Sequence, residues 1–131
     1  MGNPITDRMK IGAVGELLVQ LRLLEYGVQA APPLKDTGND LIAVREEVFR
    51  GIQIKTTAFG KRRVHRLPEH YHVLALVHLC SSDVQVLLDQ CEIYLLPRSV
   101  VERNHGRAPK DLSQFRISQT LVDSIFPQHG R

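Results

Sequence analysis

Apolar residues recur at helical spacing near the start of the chain and predict a long first helix. From Ile11 to Leu24 the segment is apolar nearly all round, which is typical of a helix buried on more than one face. Asn3 and Pro4 suit its beginning, and Gly27 suits its C-terminal end. One apolar stripe comprises Val14, Leu17, Leu21 and Leu24, while Val19 and Leu23 lie on another side.

After Gly27 the pattern changes from helical to alternating. A short extended piece is followed by a turn-rich loop that contains Pro32, Pro33, Gly38 and Asn39. Alternating segments then predict a series of strands, and short helices follow them. The predicted strands are Asp40 to Val44, Val48 to Lys55, Tyr71 to Leu79, Val84 to Leu88 and Ile93 to Leu96, with an edge strand at Phe115 to Ile117; the short helices begin at Pro97 and at Gln119, the second ending at Ile125.

This order of elements predicts an α/β (α+β) fold. One mixed β-sheet flanked by helices, in a single domain covering residues 1–131, accounts for a helix followed by a run of strands. Gly12 and Gly15 interrupt the first helix, where each costs about 1 kcal/mol relative to alanine. We therefore expect close backbone approach between this helix and a neighbouring element.

Three polar residues converge if the second and third predicted segments form an antiparallel hairpin. A loop with an even number of residues, centred on Glu46 and Glu47, places Asp40 opposite Gln53. Directly opposed residues point to the same face, and Lys55 shares that face because it lies two positions beyond Gln53. The sequence therefore predicts a cluster of Asp40, Gln53 and Lys55, with the apolar positions on the other face.

Composition and charge restrict the classes of function. The chain of 131 residues carries a net charge of +3 with a pI near 9.1, which permits a polyanionic partner. No apolar stretch approaches the ~20 residues that span a membrane, and no signal-peptide pattern begins the chain, so we expect a cytoplasmic protein without a membrane partner. Cys80 and Cys91 lack a zinc spacing and are expected to be reduced thiols.

Basic residues are concentrated directly after the predicted cluster. The run KRRVHR contains Lys61, Arg62, Arg63 and Arg66, and such a patch binds nucleic-acid backbones independently of sequence. A solvated loop is the alternative interpretation. His70 and His72 share a strand face, but no third ligand at a suitable spacing supports a metal pair.

The predicted cluster has the chemistry of a divalent-cation site. Carboxylate and amide oxygens, as in Asp40 and Gln53, are ligands for Mg²⁺. Lys55 beside the ion would orient a water or stabilise the charge that develops on a phosphate. Phosphodiester hydrolysis fits this combination, with the basic run holding the nucleic acid.

The motifs GxxGE at Gly12 to Glu16, GNDLIA around Asp40 and QIKT ending the third segment resemble the PD-(D/E)XK nuclease superfamily, as a QxK variant. The chain is similar to archaeal-type Holliday-junction resolvases and small intron-encoded homing endonucleases over roughly its first half. The resemblance implies a restriction-endonuclease-like fold and a catalytic centre of Glu16, Asp40, Gln53 and Lys55. Glu16, Asp40 and Gln53 would bind Mg²⁺ or Mn²⁺, and Thr56 with the basic run would bind DNA.

Two departures from the family pattern bear on activity. Gln53 stands where most active members have Asp or Glu, so the site has one anionic ligand fewer, and Asp40 is preceded by Asn39 instead of proline. We predict a metal-dependent endonuclease acting on double-stranded or branched DNA, as a homodimer or a dimer of dimers. The alternatives are a catalytically silent DNA-binding module with the same fold and a structural interaction domain.

Overall fold

One mixed, five-stranded β-sheet forms the centre of the protein, in strand order β1-β2-β3-β4-β5. The computed structural model describes residues 7–35, 38–58, 67–80 and 85–128. Neighbouring strands pair antiparallel except β3 and β4, which are parallel. The elements are α1 (Asp7–Glu25), β1 (Gln29–Ala31), β2 (Leu41–Arg45), β3 (Val48–Ala58), β4 (Val73–Leu79), β5 (Glu92–Pro97), α2 (Arg98–Arg103) and α3 (Gln119–Ile125), with 3-10 turns at Leu88–Gln90 and Ser113–Phe115.

The hairpin of β2 and β3 has the predicted register. Pairing runs from Leu41 opposite Ile52 to Arg45 opposite Val48, so the turn contains two residues, Glu46 and Glu47. Glu46 adopts a positive φ of 56°, which suits the tight turn of a two-residue hairpin. Because the turn is even, the buried residues Leu41, Ala43, Ile52 and Ile54 share one face of the sheet.

Two apolar clusters cover the two faces of the sheet. The larger one joins α1 and α3 to the face of β3 that carries Ile52 and Ile54. The smaller one covers the opposite face of β4 and includes Val101 of α2. Its members are Tyr71, Leu74, Leu76, Leu96, Val101 and Leu112. The mixed sheet is thus flanked by helices, as predicted.

The prediction that α1 is buried on more than one face was wrong. Leu17, Leu21 and Leu24 are 64%, 44% and 61% exposed, whereas the buried residues of the helix are Leu18, Val19 and Leu23. The helix lies on the sheet through one face only. No described element covers the face of Leu17, Leu21 and Leu24, so the second apolar stripe is exposed to solvent.

Other predictions near the end of the sheet need correction. The predicted strand Val84 to Leu88 is wrong for its described part, because residues 85–88 form a bend, one bridge residue and the start of a 3-10 turn. The predicted edge strand Phe115 to Ile117 is reduced to a single bridge between Arg116 and Tyr94. The predicted short extended piece corresponds to β1, and both short helices are present. Asn3 and Pro4 lie outside the described residues.

Polar contacts join the segment Asp123 to Phe126 to the hairpin of β2 and β3. Arg45, 9% exposed, donates to Asp123 Oδ1 at 2.6 Å and to the carbonyl of Phe126 at 3.3 Å. Arg50 donates to the carbonyl of Ile125 at 3.1 Å. Phe126 and Val122 are buried in the larger cluster. These contacts fix α3 against the turn end of β2 and β3.

Within the described part of the chain, no helix has both the length and the apolar character needed to cross a membrane.

Candidate functional site

Close packing of α1 on β3 positions the first acidic residue of the predicted cluster. A Cβ atom at Gly15 would lie 2.8 Å from Thr56 Cβ, so the helix approaches the strand at a distance that only glycine permits. Glu16 follows Gly15 and is held beside the C-terminal half of β3. The prediction for Gly15 is confirmed, whereas the one for Gly12 is wrong for the described residues, because none of them outside the neighbouring backbone of α1 lies within 4 Å of a Cβ built there.

Asp40 connects the start of β2 to the middle of β3. Its backbone N–H donates to the carbonyl of Ile52 at 3.0 Å. Its side-chain Oδ2 accepts from the backbone N–H of Ile54 at 2.8 Å. Regular pairing between β2 and β3 ends here, and the Asp40 carboxylate accepts the hydrogen bond that a main-chain carbonyl would otherwise accept. Asp40 is thus bonded to the backbone of Ile52 and of Ile54, the residues before and after Gln53.

The two acidic side chains are close enough to interact electrostatically. The pKa of Glu16 is raised, first because partial burial disfavours its charged form and second because the Asp40 carboxylate repels it. No described cation forms an ion pair with Glu16. Two carboxylates from different elements are thus near enough to repel each other, and neither forms an ion pair with a described cation.

Gln53 and Lys55 lie on the face of β3 opposite to Ile52 and Ile54, and therefore opposite to the face on which α1, the helix of Glu16, packs. Gln53 is 9% exposed, and its Oε1 is buried without a hydrogen-bond partner among the described residues. Lys55 is half-buried and forms no ion pair with any described residue. A buried acceptor without a donor is destabilising by about 1–3 kcal/mol, so Gln53 Oε1 is a suitable acceptor for a donor or a cation from outside the described residues.

Asn39 is a polar residue of this region that sequence reasoning did not select. Its side chain lies over Gly51, with Oδ1 2.9 Å from the position a Gly51 Cβ would occupy. Asn39 Oδ1 is also buried without a partner in the described part of the chain. Gly51 was the available signal, because an isolated glycine within a strand indicates close approach by another group.

His72 has a structural role beside the same glycine. Its Nδ1 accepts from the backbone N–H of Gly51 at 2.8 Å, and its own backbone N–H donates to the Gly51 carbonyl at 2.9 Å. His72 thus extends the hydrogen bonding between β3 and β4 at the N-terminal end of β4. Among the described residues, no group of three or more His, Cys, Asp or Glu side chains could hold a metal ion.

The donor set fits a hard divalent cation that binds through few charged ligands. Glu16 and Asp40 offer carboxylate oxygens, and Gln53 offers a neutral oxygen that has no donor among the described residues. Mg²⁺ accepts one or two carboxylates and completes its coordination with neutral oxygens, waters and substrate phosphate. The residues predicted as metal ligands therefore have suitable chemistry, with Gln53 as the neutral member.

The predicted DNA-binding residues are only partly within the described chain. Thr56 is half-buried on the α1 side of β3, in contact with the position of Gly15, and thus on the opposite face from Lys55. Lys61, Arg62, Arg63 and Arg66 lie outside the described residues. Their contact with DNA stays a prediction.

Comparisons of the chain with protein-family models, curated proteins and solved structures gave no significant match.

Proposed function

We propose that the protein is a metal-dependent endonuclease of the cytoplasm that hydrolyses phosphodiester bonds in double-stranded or branched DNA, with Mg²⁺ or Mn²⁺ as its cofactor. The observation that carries the proposal is the position of the Asp40 carboxylate, whose Oδ2 accepts from the backbone N–H of Ile54, between Gln53 and Lys55 in the sequence. The pKa of Glu16 is raised first by partial burial and second by repulsion from this carboxylate. Gln53 Oε1 is a buried acceptor without a partner among the described residues, and a cation site explains these polar groups better than packing alone.

Each side chain has a role that follows from its charge and position. Asp40 and Glu16 would hold the cation through carboxylate oxygens, and Gln53 would contribute a neutral oxygen. When bound, the cation would supply Lewis-acid stabilisation of negative charge at the scissile phosphate. Lys55 would supply an ammonium group to orient the attacking water and to stabilise charge that develops during attack.

The basic run follows the candidate site closely along the chain. Lys61 lies three positions after Ala58, the last residue of β3. Arg62 and Arg63 follow Lys55 within eight positions of the sequence, and this proximity along the chain supports a role in holding the DNA backbone near the reacting phosphate.

The mixed sheet with flanking helices supports the finer fold proposal, a restriction-endonuclease-like domain of the PD-(D/E)XK superfamily. In such a domain the acids come from the first helix and the start of a hairpin, as Glu16 and Asp40 do here. Symmetric cleavage of two strands requires two active sites, so we also propose a homodimer or a dimer of dimers.

A second candidate function is a catalytically silent DNA-binding module with the same fold. It is favoured by Gln53, which replaces a charged ligand, and by the lack of a third acidic, histidine or cysteine ligand in the described chain. Such a module would bind DNA through the basic run and would need no cation.

Cleavage of DNA under metal control distinguishes the two functions. Purified protein is incubated with supercoiled plasmid and with a four-way junction, in Mg²⁺, in Mn²⁺ or in EDTA. We expect cleavage that requires the cation and falls at least about a hundredfold in Lys55→Ala, because this variant cannot stabilise the charge of the transition state. Lys110→Ala, an exposed lysine after α2, is the matched control and should retain activity.

Two results would contradict the nuclease. Cleavage that persists in Lys55→Ala identifies a contaminant or another site. DNA binding without cleavage by the wild-type protein, in both cations and on both substrates, favours the silent module.

A further inference from the structure

A second unpartnered amide oxygen lies near Gln53. Asn39 Oδ1 and Gln53 Oε1 are the two buried side-chain atoms without a hydrogen-bond partner in the described regions. Asn39 precedes Asp40 directly, and Gln53 lies in the strand that Asp40 contacts. Both orphaned oxygens therefore occur within the small region where the start of β2 meets β3.

The position of Asn39 depends on a glycine in the facing strand. The Asn39 side-chain atoms lie 2.9–3.1 Å from where a Gly51 Cβ would be, a space that any other residue would occupy. Gly51 and Gln53 are two positions apart in β3 and so share a face of the sheet. The backbone bends at Gly38 and at Asp40. The Asn39 side chain lies over Gly51, on the face of the sheet that carries Gln53.

The chemistry of an orphaned oxygen limits what can occupy this region. An amide oxygen accepts hydrogen bonds or binds cations, and a DNA phosphate offers only acceptors, so direct contact with phosphate cannot satisfy it. The neighbouring Asp40 carboxylate makes a cation more favourable still. A divalent cation with few charged ligands needs additional neutral oxygens.

We propose that Asn39 Oδ1 is a further ligand of the divalent cation, so that two neutral amide oxygens, from Asn39 and Gln53, complement the two carboxylates. The inference rests on the proposed function and adds a residue to its cation site. The second amide compensates in part for the carboxylate that position 53 lacks. Asn39 is accordingly a binding residue of the site as well as part of the loop before β2.

Mn²⁺ binding to the full chain without DNA tests the inference independently of cleavage. Electron paramagnetic resonance of free aqueous Mn²⁺ gives the dissociation constant. We expect Asn39→Ala to raise the Kd about tenfold or more through loss of a ligand, and Asn39→Asp to lower it because the site gains an anionic ligand. A purely structural Asn39 predicts no tighter binding in Asn39→Asp.

Gly51→Ala provides a second variant that removes no ligand. Its methyl group would displace the Asn39 side chain and should also raise the Kd for Mn²⁺. Gln114→Glu is the control for added negative charge, because Gln114 is exposed on the 3-10 turn packed against β5, at the other edge of the sheet from β1. Its Kd should equal that of the wild type. Circular dichroism confirms that each variant is folded.

The outcomes separate this inference from the nuclease proposal. If Asp40→Asn abolishes Mn²⁺ binding while Asn39→Ala, Asn39→Asp and Gly51→Ala bind like the wild type, Asn39 is not a ligand and the nuclease proposal stands. If the wild-type protein binds no Mn²⁺ at millimolar concentration, both are overturned.

Discussion

Gly15 of α1 lies directly against Thr56 of β3, where a Cβ on the glycine would lie 2.8 Å from the Cβ of the threonine. This packing determines how closely the helix approaches the sheet and hence where Glu16 lies. We expect Gly15→Ala to destabilise the protein. The overpacking costs about 1–3 kcal/mol, which outweighs the gain in helix propensity of about 1 kcal/mol at most. Urea unfolding in EDTA measures the change.

Gly12→Ala is the matched control in the same helix. No atom lies within 4 Å of a Cβ at Gly12, so this substitution should leave stability unchanged or raise it by up to about 1 kcal/mol. Combining Gly15→Ala with Thr56→Ala should restore part of the loss. Equal effects of the two glycine substitutions would show that the helix does not approach β3 as described.

The raised pKa of Glu16 predicts a pH dependence of stability. Between its ordinary pKa and the raised value, the folded protein holds more protons on Glu16 than the unfolded chain does, so the free energy of unfolding falls as pH rises through this window. Glu16→Gln removes the penalty. Without metal we expect a higher Tm than wild type at pH 7 and a similar Tm below about pH 4, where Glu16 is protonated in both states.

Thermal unfolding in EDTA at several pH values checks this prediction. Glu47→Gln, in the exposed hairpin turn, is the control for loss of one negative charge and should not show the same pH-dependent gain. A Glu16→Gln variant that is less stable than the wild type at pH 7 would indicate that Glu16 has a favourable partner in the metal-free protein.

Structural and metal-binding roles of Asp40 can be separated by two substitutions. Asp40→Ala leaves the Ile54 N–H without its acceptor and should cost about 1–3 kcal/mol. Asp40→Asn retains a side-chain oxygen for this bond and should cost less. Both variants lose a carboxylate ligand, so both should lose the rise in Tm that Mn²⁺ produces in the wild type. A full response to Mn²⁺ in Asp40→Asn would exclude Asp40 as an essential ligand.

Adjacent leucines in α1 provide a test of the orientation of this helix. Leu18 is 3% exposed and Leu17 is 64% exposed. Leu18→Ala should therefore cost about 2–5 kcal/mol, whereas Leu17→Ala should change stability by about 0.5 kcal/mol or less. Chemical denaturation measures both. Similar losses in the two variants would mean that the Leu17 face is covered in solution.

Salt dependence tests the proposed role of the basic run. Replacing Arg62 and Arg63 by alanine should weaken binding to unrelated DNA sequences. The slope of log K against log salt should decrease by about one for each DNA phosphate that the variant no longer neutralises. Fluorescence anisotropy at several salt concentrations measures this slope, with exposed Arg107→Ala as the control. A slope that does not change would remove the basic run from the DNA interface.

The sequence was sufficient to predict features that depend on local periodicity. The two-residue turn at Glu46 and Glu47 determines the register of the hairpin, and the register determines which face each residue of β3 occupies. The pattern was insufficient for α1, because it showed two apolar stripes and could not indicate which one meets the sheet. Asn39 was missed for a similar reason, since its position depends on a bend of the backbone over Gly51.

The salt bridge between Arg45 and Asp123 joins residues 78 positions apart, and this separation affects the order of events during synthesis. The hairpin that carries Asp40 and Gln53 emerges from the ribosome early, but its buried arginine has no partner until the segment through Phe126 has been made. Productive folding of the nascent chain is therefore expected to wait until this segment has left the ribosome. A substitution that disturbs α3 should lower the yield of native protein, even though α3 lies far along the chain from the catalytic candidates.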